Sequence, residues 1–345
     1  MEVSYCKYIL KFKQPSGTSR GILQQKETFF IEVSEGKRYG IGECGLFRGL
    51  SMDDVPHFEA QLDKVCSALK KGIDVTPLYM YFPSIKMGVE MALKSFASND
   101  SFQLYQSRFS KGEQPISING LVWMGNIDFM RQQVFDKIKA GYDCIKLKIG
   151  ALDFDEECQL LAEIRAHYSA ESVSLRVDAN GAFRAEDALQ KLEKLSQYGL
   201  HSIEQPIAAG QVKAMQKLCS LTPIPIALDE ELIGVLKTKE QAALLDDIQP
   251  QYIILKPSLL GGFAAAEDWI TLAEARNIGW WVTSALESNI GLNAIAQWTA
   301  TLNTSMPQGL GTGGLFANNI QSPLVANMGV LQYNNALSWD TKYIS

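Results

Sequence analysis

Seven ionisable side chains fall at the ends of short apolar runs. They are Lys146 and Lys148 in CIKLKIG, Asp178 in SLRVDAN, Glu204 in HSIEQPI, Asp229 and Glu230 in IPIALDE, and Lys256 in YIILKPS. In a strand, residues two apart share a face, so Lys146 and Lys148 project together while Ile145, Leu147 and Ile149 take the other side. Two ammonium groups side by side in an apolar run are costly unless anions lie opposite. Carboxylates ending three successive runs would supply them. Such a set, with no histidine or cysteine, is hard and all-oxygen, which selects Mg²⁺, or Mn²⁺ in its place, over zinc. Lys146 beside it pushes Lys148 toward use as a base, and Lys256 approaches from the opposite side. A base, a metal and a second ammonium group suit removal of a proton next to a carboxylate. The metal would hold the charge of the resulting enediolate.

These residues need a frame that brings strand ends together. From about residue 115, β-branched runs begin at 116, 144, 174, 201, 224, 252 and 280, with a weaker one at QGLGTGG from 308. Between them lie stretches such as FDEECQLLAEIRAHY and AEDALQKLEKLSQYG, with apolar residues at three- and four-residue spacing. That interval is one βα unit, and eight of them predict a closed parallel barrel with its site at the C-terminal ends of the strands. A doubly wound open sheet competes, but no GxGxxG follows the first strand. The first hundred residues differ: TFFIEV, SEGK and RYGIGEC make a hairpin, followed by helical segments. The expected architecture is α/β, a modified (β/α)8 TIM-type barrel over 111–316. An α+β capping domain covers 1–110, and the segment 317–345 returns to it.

At 345 residues the chain has room for a large domain and a smaller one. A net charge of −6 leaves no basic footprint, which argues against nucleic acid or an anionic membrane as partner. The start, MEVSYCKYILKFK, alternates like a strand and lacks a signal-peptide core, and no apolar run approaches the ~20 residues that cross a bilayer. The six cysteines are scattered without a CxxC, as expected of buried thiols in a reduced cytoplasm. His57, His167 and His201 are isolated. Arg176 shares a face with Asp178 but lies deeper, and is expected to be a structural counter-charge.

YGIGECGLFRGLS, KLK, VDAN, EQP, ALDE and LKPSLLGG resemble, over nearly the whole chain, the capping hairpin and successive barrel motifs of the enolase superfamily, in its muconate-lactonizing subgroup. That resemblance implies the chemistry of the superfamily, a lysine base with Mg²⁺ beside an enediolate. It further implies that Asp178, Glu204 and Asp229 are the metal ligands, Lys148 the base and Lys256 the opposed cation. By the same resemblance Lys146 helps hold a substrate carboxylate, and Asn180 supports the metal shell beside the substrate. Glu230 and Glu231 stay outside the ligand set. Within the subgroup, SALESNIGLNAIAQW and GLGTGGLF resemble members that dehydrate a succinyl-bearing cyclohexadiene carboxylate in menaquinone biosynthesis. Ser284, Gly311 and Gly313 then become candidates for the succinyl end, and Arg20 for a cap over the pocket. The expected partner is a small carboxylate. An N-acylamino acid racemase or dipeptide epimerase is the alternative, although GLGTGG lacks the Asp-x-Asp pair that would grip an α-ammonium group. A class I aldolase is a distant alternative, because its Schiff-base lysine needs no carboxylate triad.

Overall fold

A computed structural model describes residues 1–18 and 21–340. The N-terminal sheet is antiparallel and paired in chain order: β1 (Glu2–Thr18), β2 (Gly21–Glu35) and β3 (Arg38–Cys44). Alternation along β2 gives it two different faces. Phe29, Ile31 and Val33 pack with Phe58, Leu62, Ile85 and Val89 of the helices Phe58–Lys70 and Pro83–Ala97, while Phe30 joins the barrel core. A Cβ on Gly42 would lie 1.9 Å from the Gly88 carbonyl oxygen, so that helix rests directly on β3.

After β4 (Ile116–Ser117) come seven parallel strands, each hydrogen-bonded to the next. They are β5 (Gly120–Val122), β6 (Cys144–Lys148), β7 (Ser174–Asp178), β8 (Ser202–Glu204), β9 (Ile226–Leu228), β10 (Tyr252–Leu255) and β11 (Gly279–Val282). Gln308 and Gly309 close the ring as an eighth strand of two residues. On one side Gly309 N donates to Val282 O at 2.8 Å; on the other Asn119 N donates to Gln308 O at 2.9 Å. The eighth strand foreseen at 308 is therefore present in reduced form, and the fold is the expected α/β barrel with a cap.

The strands are shorter than their sequence patterns and end on functional side chains: Lys148, Asp178 and Glu204 are the last residues of β6, β7 and β8. Asn180 (φ 43°) and Gln205 (φ 40°) already take left-handed backbone conformations just past β7 and β8. The helices Ile127–Lys139 and Phe154–His167 start on side-chain caps: Asp153 accepts from Asp155 N at 2.9 Å and Asn126 from Phe129 N at 2.9 Å. The expected first strand, 116–123, splits. Its opening, β4, pairs instead with the hairpin of β12 (Leu324–Asn327) and β13 (Val330–Tyr333). Residues between the barrel and that hairpin run along the cap, where Ala317 N donates to Lys11 O at 2.8 Å. Among the described residues no helix is long and apolar enough to cross a membrane.

Cap and barrel meet through a buried carboxylate. Glu43 of β3 accepts from Thr28 Oγ1 (2.8 Å), Ser288 N (2.9 Å), Ser288 Oγ (2.6 Å) and Gly291 N (2.8 Å). Ser288 is itself the N-cap of the helix Asn289–Thr301. The cap is thus tied to the N-terminus of a barrel helix, where a negative charge is favoured.

Candidate active site

The polar cluster forms across the C-terminal ends of β6 to β10. β6 and β7 pair in the register Lys148↔Asp178, and β7 and β8 in the register Asp178↔Glu204. Asp178 is fully buried, and its Oδ2 accepts from Lys148 Nζ at 2.9 Å and faces Lys146 Nζ at 3.0 Å. Its Oδ1 accepts from Asn180 N at 3.0 Å. Lys146 Nζ also donates to Glu204 Oε2, so its ammonium group lies between two carboxylates. On the far side Lys256 Nζ donates to Asp229 Oδ2. Lys148 makes a second bond, at 2.6 Å, to Asn180 Oδ1, and Asn180 Nδ2 donates to Glu230 Oε1 at 3.0 Å.

Electrostatics follow from this burial. Desolvation alone would raise the Asp178 carboxyl, but Lys146, Lys148 and Lys256 hold it well below the usual carboxylate range. Burial, reinforced by the neighbouring Asp178 charge, pushes Glu204 well above that range. Burial works against charge on Lys146 and Lys256 too, yet Asp178 and Glu204 on the first, and Asp229 on the second, raise both above the ordinary lysine value. Lys146 is therefore an anchored cation, engaged with the carboxylates, and more than a bare neighbour of Lys148.

The residues present fit a divalent cation by their donor chemistry. Asp178, Glu204 and Asp229 offer only hard oxygens, and Glu204 Oε1 is buried with no hydrogen-bond partner. As the side chains stand, no three acidic, histidine or cysteine groups among the described residues converge closely enough to enclose an ion. The ammonium groups of Lys146 and Lys256 lie against these carboxylates instead.

A pocket opens above the cluster. Lys146, Lys148, Asp178, Asn180, Glu230 and Lys256 line one side; Glu204 and Asp229 are outside the lining, behind the lysines that bind them. Ser284 and Gly311 line the other side. The Ser284 hydroxyl is already committed: it donates to Glu287 Oε2 at 2.6 Å and accepts from Thr312 Oγ1 at 2.9 Å and Leu286 N at 3.0 Å. It is therefore a fixed part of the wall and has no free proton for a substrate carboxylate. Gly313 needs correction, for it does not line the pocket. It starts a 3-10 turn packed on Asn289, and its carbonyl accepts from Asn319 Nδ2 at 2.8 Å. Arg20 lies outside the described residues. Arg176 sits deep in the barrel, donating to Pro307 O at 2.8 Å and stacked 4.1 Å from the Trp281 ring, as a structural cation should. Glu231 is likewise structural, accepting from Gln205 Nε2 at 3.1 Å and Gly210 N at 2.9 Å.

Sequence reasoning passed over the apolar and neutral wall: Phe47 and Leu50 from the cap, Asn119, Leu121 and Trp123 from the first barrel strand, and Thr283. The alternation of Asn119, Leu121 and Trp123 was the available signal.

Residues 130–335 match the model of the enolase C-terminal domain-like family, a span that holds every ionisable residue of the cluster. The chain belongs to the enolase superfamily. Superfamily relatives extend the likeness to the cap. An o-succinylbenzoate synthase from Desulfotalea psychrophila is 46% identical over 96% of this chain and 98% of its own. The crystal structure of MenC from Desulfotalea psychrophila superposes with a TM-score of 0.87 at 42% identity, covering 96% of this chain and 99% of that one. A dipeptide epimerase from Enterococcus faecalis, solved with Mg and the dipeptide L-Leu-L-Tyr, shares the fold at a TM-score of 0.80 and 18% identity, with 96% of each chain covered.

Proposed function

We propose that this chain is an o-succinylbenzoate synthase, a hydro-lyase that converts 2-succinyl-6-hydroxy-2,4-cyclohexadiene-1-carboxylate to 2-succinylbenzoate. The observation that carries the reading is a pocket with lysines on opposing strands over three carboxylates, in a chain 46% identical to a synthase of that name along almost its whole length. Lys148 takes the proton from the ring carbon next to the carboxylate, and Lys256 across the pocket stabilises the negative charge that develops. The C–O bond to the 6-hydroxyl then breaks, the ring becomes aromatic, and Lys148 returns its proton so that water leaves. Lys146 orients the substrate carboxylate, and Asn180 holds Lys148 at 2.6 Å. Asp178, Glu204 and Asp229 would hold Mg²⁺, the ion found in the epimerase relative, and it would supply Lewis-acid stabilisation to the carboxylate end of the substrate.

Racemisation of N-acylamino acids is the competing activity, because two opposed lysines also serve as an acid–base pair. The deciding experiment compares kcat/KM for the cyclohexadiene, followed by aromatic absorbance, with that for a panel of N-acylamino acids on one preparation. Preference for an N-acylamino acid by orders of magnitude would replace the synthase reading with the racemase one.

A further inference from the structure

One buried carboxylate joins the segment that carries Lys256 to the wall across the pocket. Lys256 is the first residue past β10 and the N-cap of a single helical turn, Pro257–Leu260, and its carbonyl accepts from Leu259 N at 2.8 Å. Ser258 in that turn is fully buried, and its Oγ donates to Glu287 Oε1 at 2.5 Å. Glu287 is fully buried too, and its other oxygen accepts at 2.6 Å from the Oγ of Ser284, two residues past β11. Glu287 stands outside the pocket lining, so its part is not to touch substrate. The cap closes over the pair: a Cβ at Gly45 would lie 2.6 Å from Ser258 Oγ and 3.1 Å from Glu287 Cγ, so only glycine lets the chain leaving β3 pass. Burial of a carboxylate is costly unless it is bonded and balanced. Here both oxygens are bonded, and the buried Lys26 is the nearby cation, its own charge opposed by burial and favoured by Glu43 and Glu287.

We propose that Glu287 is a positioning residue for Lys256, acting through Ser258. This deepens the proposed function and rests on the role given there to Lys256 as the opposed cation. The tip of the Lys256 side chain is held by Asp229, but its root is set by the backbone, and the register of β10 with β11 stops one residue earlier, at Leu255↔Val282. Ser258 lies two residues on, so its bond to Glu287 fixes the direction in which the chain leaves the strand. An ionised carboxylate only accepts, so both serine hydroxyls must turn their protons toward it. Ser284 in turn accepts from Thr312 Oγ1 at 2.9 Å, which sets the loops after β10, β11 and the eighth strand against one another. A cation that stabilises developing charge acts through preorganisation, and a misplacement of about 1 Å can cost on the order of 10²-fold in rate.

The test is a double-mutant cycle on the full-length, Mg²⁺-loaded enzyme, read by dehydration of the cyclohexadiene. Ser258→Ala and Glu287→Gln should each lower kcat roughly 5- to 50-fold while KM stays within about threefold. In a Lys256→Ala background the same two substitutions should cost less than about twofold more, because the group they position is gone. Equal fold losses in both backgrounds would mean that the bond only supports the fold. An unchanged kcat in either single variant would mean that it positions nothing. Each result overturns the proposal, as does a Lys256→Ala enzyme that turns over at the wild-type rate. Should Glu287→Gln fail to fold, Ser258→Ala, which removes one hydroxyl, still decides. If the wild type instead racemises N-acylamino acids, the proposed reaction falls. The same cycle run on that substrate then reads the positioning, since Lys256 is one of the opposed pair there.

Discussion

Lys148 and Asp178 are register partners on adjacent strands, and the lysine Nζ lies 2.9 Å from the aspartate Oδ2. That same oxygen faces Lys146 at 3.0 Å. One carboxylate oxygen therefore orients both lysines of the CIKLKIG run, which is how two ammonium groups sit together in an apolar strand. The arrangement makes Lys148 the better placed of the two to reach substrate, since Lys146 is also bound to Glu204.

Replacing Lys148 with alanine should reduce dehydration by at least about 10²- to 10⁴-fold, the usual cost of losing a general base. It should also abolish deuterium uptake at the ring carbon next to the carboxylate in D₂O. Lys256→Ala should slow dehydration comparably but leave some exchange, because Lys148 remains to take the proton. A Lys148→Ala enzyme with near wild-type turnover would end the assignment.

Glu204→Gln preserves shape in a buried position but removes the charge that a divalent ion needs. Calorimetric titration with Mg²⁺ should show affinity falling by about 100-fold or more, with the far-UV spectrum unchanged. Exhaustive EDTA treatment of the wild type should stop turnover, and added Mg²⁺ should restore it. Undiminished turnover without metal would sink the metal role and bring back the Schiff-base aldolase reading.

Most of this cluster could be read in the sequence because barrel geometry converts spacing into position. Alternate residues at the strands' C-terminal ends face one common site, so the charged ones in CIKLKIG, SLRVDAN, HSIEQPI, IPIALDE and YIILKPS could be placed from spacing. Loops obey no such rule. Gly313 falls outside the pocket because the 3-10 turn it begins carries it against Asn289. The engagement of Ser284 is invisible in sequence because its hydroxyl partner, Glu287, is fixed by packing, with Ser258 Oγ donating to the same carboxylate at 2.5 Å. Asn119 is marked only by its alternation with Leu121 and Trp123, which carries no charge to set it apart.

Glu43 should be indispensable to the union of cap and barrel. Glu43→Ala leaves the Ser288 and Gly291 donors unsatisfied in a buried interface and removes a counter-charge from Lys26, whose amine is buried without a hydrogen bond. Urea unfolding should reveal a loss of roughly 3–5 kcal/mol, and Glu43→Gln a smaller one. A change below about 1 kcal/mol for the alanine variant would show that the contact is dispensable.

Asp53 should shape the pH dependence of stability. Its Oδ2 accepts from Ser84 N (2.9 Å) and Ser84 Oγ (2.6 Å), while burial pushes the carboxyl up from 3.8 to about 6. The folded state therefore holds this proton more tightly than the unfolded chain. The resulting stabilisation is complete below pH 3.8 and is lost as pH rises through about 6. At about 1.4 kcal/mol per pKa unit the loss is on the order of 3 kcal/mol. Melting curves of Asp53→Asn should accordingly gain on wild type between pH 4.5 and pH 7.5. A gain that stays constant across that range would exclude Asp53 as the titrating group.

The bonds from Glu43 to Ser288 and Gly291 span 245 and 248 residues of chain. During synthesis at 5–20 residues per second, the cap strands therefore emerge roughly 12 to 50 s before the helix that completes their interface. For that interval the nascent chain exposes a carboxylate and an apolar sheet face whose partners do not yet exist. The cap is made first and finished last, so the growing protein depends on its final third to bury what its first fifty residues present.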